Sequence, residues 1–524
     1  MYLLKQLFRL IKVFSLSLEK NKLLLLGTFT IMYLVVTYIL SKHKPLWNDE
    51  LYTYYIARLP KMNDVWGALM SGGEQLPPFF YVVTRISTSL FGLNTFGLWM
   101  PSIIGFWLMC VCLFVFIARR TSNYYALVAA IFPLVTFAYY YSYEARPYGL
   151  VLGFSSLALL CWQSITMNRL RLLSIICLAA SLAGALSSHY YGIFAIFPLA
   201  LGETARTILR RRIDGPVWMA FCIATIPLVQ LLPLIQQARS YSTAFWAKAA
   251  WMNIPGFYNN LLFLSTIPFL LLLFISWAYQ ATSQDKELNV RLASNINPPI
   301  FEAVAAFGFI ITPVICVIAG KLITGAFTER YAIIAVIGFS ILVTFCATKL
   351  NDNSILVSFW IVIAFVMWFG FLAFTNSWAA SQPGPQTKIQ LLKRKGVGNL
   401  PIVAADPHTF VELAYYAPEF APRVIYLADP AISLIRLQTN SIEQGMVDLI
   451  KPWFHLNVID YKSYIATRQA FLLCGDPGLY SWIIPQLYDD GMQMDLKGFD
   501  GNILLFLVSP PTKSTDHRVG RTFD

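Results

Sequence analysis

Eleven apolar runs constrain this chain most, because each is long enough, or nearly so, to cross a bilayer as one helix. Lipid accepts a spanning segment only when its backbone hydrogen bonds are satisfied internally, which favours helices. The runs are residues 23–40, 97–117, 124–142, 149–166, 172–188, 190–208, 217–235, 260–279, 301–319, 331–348 and 355–375. The pattern predicts a polytopic α-helical membrane protein.

Composition agrees with this class of protein. Hydrophobic residues make up 57% of the chain and charged residues only 13%, against about a quarter in soluble domains. The net charge of +12 does not indicate a nucleic-acid partner, because the basic residues stand in short clusters between apolar runs. The cysteines show no zinc-site spacing. Residues 23–40 lack a small-residue cleavage site and are interpreted as a retained helix.

Whether residues 78–91 span the membrane decides which side every later loop faces. This segment has only 14 residues, begins after Pro77 and contains Arg85, so it is too short to span and reads as an amphipathic interfacial helix. If it lies flat, nearly all basic clusters between the runs fall on one side, and if it spanned, the later clusters would face away from the basic N-terminus. The clustered residues are Lys5, Arg9, Lys12, Lys20, Lys22, Arg119, Arg120, Arg169, Arg171, Arg206, Arg210, Arg211, Arg212, Lys286, Arg291 and Lys349.

The positive-inside rule then places the N-terminus inside and the tail outside. The loops predicted outside are residues 41–96, 143–148, 236–259 and 320–330. We therefore expect a membrane domain over residues 1–376, with juxtamembrane helices in 41–96, and an outer domain over residues 377–524.

The tail has the pattern of a small α/β domain. Pro383-Gly384-Pro385 and the basic run 388–395 indicate a linker. Strand candidates are Pro401–Ala405, Arg423–Ala428, Ala470–Cys474 and Ile503–Val508, with helix candidates at 409–416 and 478–488. No glycine-rich phosphate loop occurs, so a nucleotide site is not expected.

Once this topology is set, the unusual polar residues all fall at the outer helix ends. They are Asp49, Glu50, Glu74, Gln75, Glu144, Arg146, Tyr148, His189, Tyr190, Arg330 and Tyr331. Helix ends on one face can converge although they are far apart in sequence. Their shared side predicts a site at the water interface.

Six of these residues also have a purely structural interpretation. Asp49 and Glu50 suit the first turn of a helix over 49–58, capped by Asn48 or Asp49. Glu144 and Arg146 could form an ordinary interfacial ion pair. His189 reads more readily as an interfacial hydrogen-bonding residue than as a metal ligand, and Arg330 could snorkel from a helix end.

Five segments resemble the polytopic glycosyltransferases that use polyprenyl-phosphate sugars, the GT-C fold class. That class includes dolichyl-phosphate-mannose protein mannosyltransferases, lipid A aminoarabinose transferases and rhizobial lipopolysaccharide sugar transferases. The segments are WNDELYTYYIA with Asp49-Glu50, EQLPPFF from Glu74, SYEARPYGL with Glu144, SHYYGIF with His189, and Arg330-Tyr331. One departure is Gln75-Leu76, where the family often has an acid or histidine ahead of its prolines.

The resemblance implies inverting transfer of a sugar from a lipid phosphate to a hydroxyl of a lipid, glycan or protein. Together with the topology derived above, about 11 spans with the N-terminus in and the C-terminus out, it implies a multi-pass protein of the cell (inner) membrane with the site on the periplasmic side. Asp49 would be the general base, Arg330 the phosphate-binding residue, and Glu144, held by Arg146, a positioning residue. Glu50 would cap, orient or assist.

The other residues of the set would contact substrate: Glu74, Gln75, Tyr148, His189, Tyr190 and Tyr331. No cofactor is certain, although Asp49, Glu50 and Glu144 could hold a hard divalent cation. Three alternatives remain at this point: a transporter or flippase for a lipid-linked sugar, an O-antigen-ligase-like transferase, and a non-enzymatic assembly subunit. Transporters usually carry ionisable residues near the bilayer midplane, whereas here the acids gather at one face.

Overall fold

The computed structural model describes residues 2–241, 244–282, 298–380, 385–396, 398–478 and 480–511. The chain divides into two units, Met1–Gln382 and Pro383–Asp524. Three segments used above, Lys286, Arg291 and most of the Pro383-Gly384-Pro385 linker, lie outside the described residues.

The first unit is built from α-helices joined by short turns. Its helices are α1 Tyr2–Glu19, α2 Lys22–His43, α3 Asn48–Ala57, α4 Met62–Met70, α5 Pro78–Phe91, α6 Thr95–Ala118, α7 Asn123–Ile131, α8 Tyr148–Thr166, α9 Arg171–Ser188, α10 Ile196–Arg210, α11 Gly215–Ile223, α12 Pro227–Ser240, α13 Asn253–Leu262, α14 Thr266–Thr282, α15 Ile300–Ala319, α16 Ala335–Leu350 and α17 Ile355–Ala380. Short 3-10 helices cover Phe132–Val135, Phe137–Tyr143, Tyr190–Ala195, Phe263–Ser265 and Glu329–Ala332, and a π-helix covers Gly320–Thr324.

The prediction of a polytopic helical membrane protein is confirmed. Within the described ranges, nine helices are long and apolar enough to span, or ten if one bent pair is a single span. The shorter apolar helix α16 accounts for the eleventh run. Which membrane side each loop faces stays a prediction.

The run 124–142 is a broken helix and not one straight span. Its halves, Asn123–Val135 and Phe137–Tyr143, meet at 79°. Pro133 supplies no backbone donor, Thr136 is extended, and the Thr136 hydroxyl accepts a hydrogen bond from Ala138 N at 3.2 Å. The bend brings the second half to the residues just ahead of Glu144.

Helix α5 has the 14 residues predicted for the interfacial segment 78–91. Pro78 occupies its first position, and Gly92 ends it with a φ of +87°. It packs against α3, α6 and α9. Its position relative to a membrane surface stays a prediction.

Helices α6 and α8 pack with their backbones in contact. A Cβ atom at Gly105, Gly149 or Gly153 would overlap the backbone of the facing helix. Beside this glycine contact, Ser102 Oγ donates a hydrogen bond to the carbonyl of Arg146 at 2.6 Å. The turn that carries Glu144 and Arg146 is therefore fixed directly to α6.

The second unit contains a six-stranded sheet in the order β3-β2-β1-β4-β6-β5. The strands are β1 Ile402–Ala404, β2 Val424–Ala428, β3 Val458–Asp460, β4 Phe471–Gly475, β5 Gln493–Asp500 and β6 Ile503–Ser509. Strands β1 to β4 are parallel, and β6 is antiparallel to β4 and β5. The remaining helices are α18 Gln386–Lys395, α19 Pro407–Tyr416, α20 Pro430–Leu437, α21 Ser441–Gly445, α22 Tyr461–Ile465 and α23 Ile483–Asp489, with a 3-10 turn Ala421–Arg423 and a π-helix Met446–Phe454.

The small α/β domain is confirmed, with corrections in its details. The four predicted strands correspond to β1, β2, β4 and β6, whereas β3 and β5 were missed. The basic run 388–395 is a helix and not a linker, because Ile389, Leu391 and Leu392 bury an apolar face. The helix predicted over 478–488 begins only at Ile483.

Candidate active site

The fully buried Glu50 fixes the start of α3. Its carboxylate accepts hydrogen bonds from Trp47 N at 3.2 Å, Trp99 Nε1 at 2.5 Å and Ala145 N at 2.7 Å. Lys44 Nζ adds an ion pair at 3.2 Å. These contacts tie together α2, α3, α6 and the 144–146 turn, so Glu50 is a structural anchor.

This arrangement corrects the predicted cap. The helix covers Asn48–Ala57 rather than 49–58, and its N-cap residue is Trp47 rather than Asn48 or Asp49. Glu50 satisfies the backbone N–H of Trp47 from the third helical position, in the manner of a capping box. Asp49 is thereby left to point its carboxylate elsewhere.

Asp49 pairs with an arginine that is distant in the sequence but adjacent in space. Its Oδ2 atom accepts a hydrogen bond from Arg330 Nη1 at 2.7 Å and lies 3.9 Å from Arg146 Nη2. The Asp49 side chain is 19% exposed, whereas those of Glu50 and Glu74 are 0% and 6% exposed. Asp49 is therefore the most accessible carboxylate of these three.

Arg146 is not paired with Glu144, which corrects the predicted local ion pair. It instead donates to both oxygens of Glu74, at 3.0 and 3.3 Å, and to the backbone carbonyl of Asp49 at 3.2 Å. Burial lowers the pKa of Arg146, but Glu74 and Asp49 outweigh burial and raise that pKa above its ordinary value. Arg146 therefore remains a permanent cation beside Asp49.

Glu144 lies fully buried behind Trp47. Its Oε1 atom accepts a hydrogen bond from Trp47 Nε1 at 2.7 Å, while its buried Oε2 atom contacts no hydrogen-bonding group among the described residues. Burial raises the pKa of this carboxyl to about 7, against the opposing field of Lys44. Glu144 can thus exist in the protonated form near neutral pH.

Arg330 follows α15 on the 3-10 turn Glu329–Ala332, where Thr328 is extended. Its guanidinium lies over the rings of Trp47, at 5.7 Å, and Tyr148, at 5.8 Å. Burial lowers the pKa of Arg330, but Tyr148 and Asp49 raise that pKa by more than burial lowers it, so the side chain stays charged. Only 14% of the side chain is exposed, so Arg330 does not snorkel to water.

Aromatic residues form one wall beside these charges. The His189 ring lies 5.5 Å from Tyr148 and 5.0 Å from Tyr331. His189 Nδ1 accepts a hydrogen bond from Tyr191 N at 3.1 Å. Burial, reinforced by Arg146 and Arg330, lowers the pKa of His189 to about 3, so the ring is neutral. His189 is thus a hydrogen-bonding residue that shapes this wall.

Gln75 and Tyr190 occupy the edge of the same region. Both are partly exposed, and Gln75 donates its backbone N–H to Glu74 Oε1 at 3.1 Å. The Glu74 carboxylate thus contacts both the Gln75 backbone and the Arg146 guanidinium. Substrate contacts of Gln75 and Tyr190 stay predictions.

The carboxylates fit a divalent cation poorly in this arrangement. No group of three or more His, Cys, Asp or Glu side chains within the described ranges could hold a metal ion. A cation bound to Asp49 would also have to displace the guanidinium of Arg330 and tolerate that of Arg146. No chemical step is therefore assigned to a metal.

Three residues of the site were not given a role from the sequence: Lys44, Trp47 and Trp99. Each stands in or beside an apolar run, where aromatic and basic residues usually anchor a helix at the interface. The signal that could have found Trp47 is its position directly ahead of Asn48-Asp49-Glu50. Its indole joins Glu144, through Nε1, to Arg330, over its ring face.

Comparison of the sequence with protein-family models found no match, and comparison with curated proteins found none. Solved structures with the same fold include two of one protein. The crystal structure of ArnT from Cupriavidus metallidurans in the apo state superposes with a TM-score of 0.55 at 11% identity, covering 92% of this chain and 98% of that one. The same protein bound to undecaprenyl phosphate gives 0.51 at 14% identity, covering 92% and 97%. The chain therefore has the GT-C-type fold of ArnT, as its motifs predicted.

Proposed function

We propose that this protein is a membrane glycosyltransferase that moves a sugar from a polyprenyl-phosphate donor to an acceptor hydroxyl, with inversion at the anomeric carbon. The observation that carries the proposal is the Asp49–Arg330 pair: an accessible carboxylate held beside a permanent cation. Transfer from a glycosyl phosphate needs a base for the acceptor and a cation for the leaving phosphate. The pair supplies both.

In the proposed reaction, Asp49 takes up the proton and Arg330 stabilises the charge that develops. Asp49 accepts the proton of the acceptor hydroxyl as its oxygen attacks the anomeric carbon from the face opposite the phosphate. The bond between that carbon and the phosphate oxygen breaks, and the polyprenyl phosphate leaves with one additional negative charge. Arg330, assisted by Arg146, stabilises that charge.

The resting ion pair gives the donor a role in activating the base. A donor phosphate competes with Asp49 for the Arg330 guanidinium, which lies 2.7 Å from Oδ2. When the phosphate takes that cation, Asp49 loses a partner that stabilises its ionised form, so its basicity increases. Donor binding would thus precede deprotonation of the acceptor.

The buried residues position the reacting pair. Glu74 holds Arg146 through two hydrogen bonds, and Arg146 in turn holds the carbonyl of Asp49. Glu144 acts at one remove, because it fixes the indole of Trp47 beneath Arg330. The aromatic wall of Tyr148 and Tyr331 suits contact with a sugar face, which is apolar.

Two further observations support the lipid donor and the location. The structure of ArnT with undecaprenyl phosphate presents a lipid phosphate on the same fold. The clustering of basic residues at the opposite helix ends favours an outer, periplasmic position for the site in the cell (inner) membrane.

The test is sugar transfer by purified protein from a panel of polyprenyl-phosphate sugars to lipid, glycan and peptide acceptors. Asp49→Asn should reduce turnover by about 10²–10⁴-fold, the usual contribution of a general base. Asp495→Asn, on the exposed edge strand of the second unit, is the matched control and should leave turnover unchanged. Full turnover by Asp49→Asn would refute the assignment of the base.

A further inference from the structure

Three basic residues lie near one another at the end of the membrane unit remote from Asp49: Arg119 Nη1 and Arg169 N both donate to Ser164, and Lys22 lies over Phe114 of α6. Lys22 begins α2, Arg119 follows α6, and Arg169 lies in the turn between α8 and α9. Helix α8 starts beside the candidate site and, with 19 residues, carries the chain about 28 Å to this end. We call Lys22, Arg119 and Arg169 the basic cluster.

The members of the basic cluster are held without carboxylate partners. Arg119 Nη1 donates to Gln163 Oε1 and Ser164 Oγ, both at 3.0 Å. Lys22 Nζ lies 5.8 Å from the centre of the Phe114 ring. Within the described part of the chain, none of the three cations is in an ion pair.

The nearby acids are engaged elsewhere. Glu302 accepts three hydrogen bonds from Arg120, at 2.6, 3.1 and 3.2 Å. Glu19 accepts from the backbone N–H groups of Asn123 and Tyr124 at the start of α7. Among the described residues, no carboxylate is therefore in direct contact with the basic cluster, and only the field of Glu302 reaches Arg119. Burial, followed by the field of Arg169, lowers the pKa of Arg119 accordingly.

The turn that carries Arg169 has an unusual backbone on both sides of this residue. Asn168 and Leu170 both adopt left-handed conformations, with φ of 54° and 41°. A leucine rarely takes this conformation, and such strain persists only where surrounding contacts enforce it. Arg169 itself is exposed, so its charge is available to a ligand.

Apolar side chains extend from the basic cluster along the spans. Leu23, Leu170, Leu172, Leu173 and Ile176 are each more than half exposed, at 80%, 76%, 72%, 56% and 57%. Exposed leucines at a helix end face lipid in a membrane protein and accept acyl chains. Unneutralised cations directly above such a surface suit a ligand with an anionic head and apolar tails.

We propose that Lys22, Arg119 and Arg169 form a binding site for the phosphate of an anionic phospholipid, whose acyl chains lie along the start of α9. The site is independent of the transfer reaction and of which membrane side it faces. It would hold a resident lipid between α2, α6 and α9 and so brace the helix ends opposite the reacting groups.

The experiment is a native mass spectrometry titration of the full-length protein in detergent with dioleoyl phosphatidylglycerol, and separately with dioleoyl phosphatidylcholine. Wild type should retain the anionic lipid preferentially. Arg169→Gln should weaken its binding about fivefold, and Arg119→Gln with Arg169→Gln by more, following the usual contribution of one basic residue at a lipid surface. Arg212→Gln removes an exposed positive charge just after α10 and should leave lipid binding unchanged.

Equal retention of the two lipids by wild type would overturn the proposal, as would an equal loss in Arg169→Gln and Arg212→Gln. Displacement of phosphatidylglycerol by millimolar inorganic phosphate would likewise overturn the assignment to a lipid. Because Arg169 is exposed, its substitution leaves the fold intact even if Arg119→Gln fails to express.

Discussion

Arg330 donates a hydrogen bond from Nη1 to Oδ2 of Asp49 over 2.7 Å, although 281 residues separate the two in the chain. The loop after α2 and the segment after α15 are thereby joined at one charge pair. Glu50, the immediate neighbour of Asp49, does not contact Arg330, because its oxygens accept hydrogen bonds from Trp47, Trp99 and Ala145. Two adjacent acids thus have separable roles.

The first prediction concerns the phosphate contact. Arg330→Gln should lower kcat/KM for a polyprenyl-phosphate sugar by about 100-fold, since a charge-assisted contact to the leaving phosphate is lost. Arg330→Lys should recover part of the activity, because it restores the charge but not the planar donor geometry. Steady-state kinetics at varied donor concentration measure this, with Arg212→Gln as control. Unaltered donor kinetics in Arg330→Gln would move the phosphate site elsewhere.

The second prediction separates Glu50 from Asp49 by stability. Glu50→Gln should destabilise the protein by about 2–4 kcal/mol, because an amide cannot accept from all its donors and leaves Lys44 without its partner. Asp49→Asn should lower the unfolding temperature little while reducing turnover by about 10²–10⁴-fold. Thermal unfolding in detergent, followed by tryptophan fluorescence, measures both variants. Equal losses of stability would contradict the division of roles.

The third prediction is a pH dependence of stability that originates at Glu144. Its folded pKa of about 7 lies above the ordinary value of 4.5, so the folded state binds more protons between these values. The contribution of Glu144 to the free energy of unfolding, on the order of 3 kcal/mol, should therefore be fully present below pH 4.5 and be lost as the pH rises through 7. Glu144→Gln should remove this slope. Unfolding temperatures at pH 5.5 and 8 for both proteins check it, and identical slopes would refute it.

The fourth prediction concerns a divalent cation. Because guanidinium groups occupy the side of Asp49 where a metal would bind, transfer activity should persist in EDTA and should not rise on addition of Mg²⁺ or Mn²⁺. Turnover before and after chelation, with back-titration of each ion, measures this. Recovery of a lost activity by one ion would require the Arg330 pair to open around a metal.

The membrane unit followed closely from sequence because its physics is local. An apolar run in lipid favours a helix whatever its neighbours, so α5 and most spans were found within a few residues of their observed bounds, and the run 124–142 is the bent exception. Strands β3 and β5 were missed for the opposite reason. Strand β3 has only three residues, and β5 is an exposed edge strand with Asp495, Lys497 and Gly498 in it. Its pairing is set by β6 and not by its own composition.

The members of the site were predictable, but their partners were not. One-sided placement brought Asp49, Glu144, Arg146 and Arg330 to the same end of the unit. Arg146 nevertheless pairs with Glu74 across 72 residues rather than with Glu144 two positions away, because Arg146 extends to the loop after α4 and Glu144 to Trp47 ahead of α3. No local pattern encodes such a choice, which depends on how α3, α6 and α8 pack.

Helices α6 and α8 can touch because Gly105, Gly149 and Gly153 have no side chains. This close contact fixes the position of the 144–146 turn. A joint of this kind prescribes three small residues and leaves the outward positions of both helices open to any apolar replacement. The geometry of the charged turn can thus be kept while those outward positions vary.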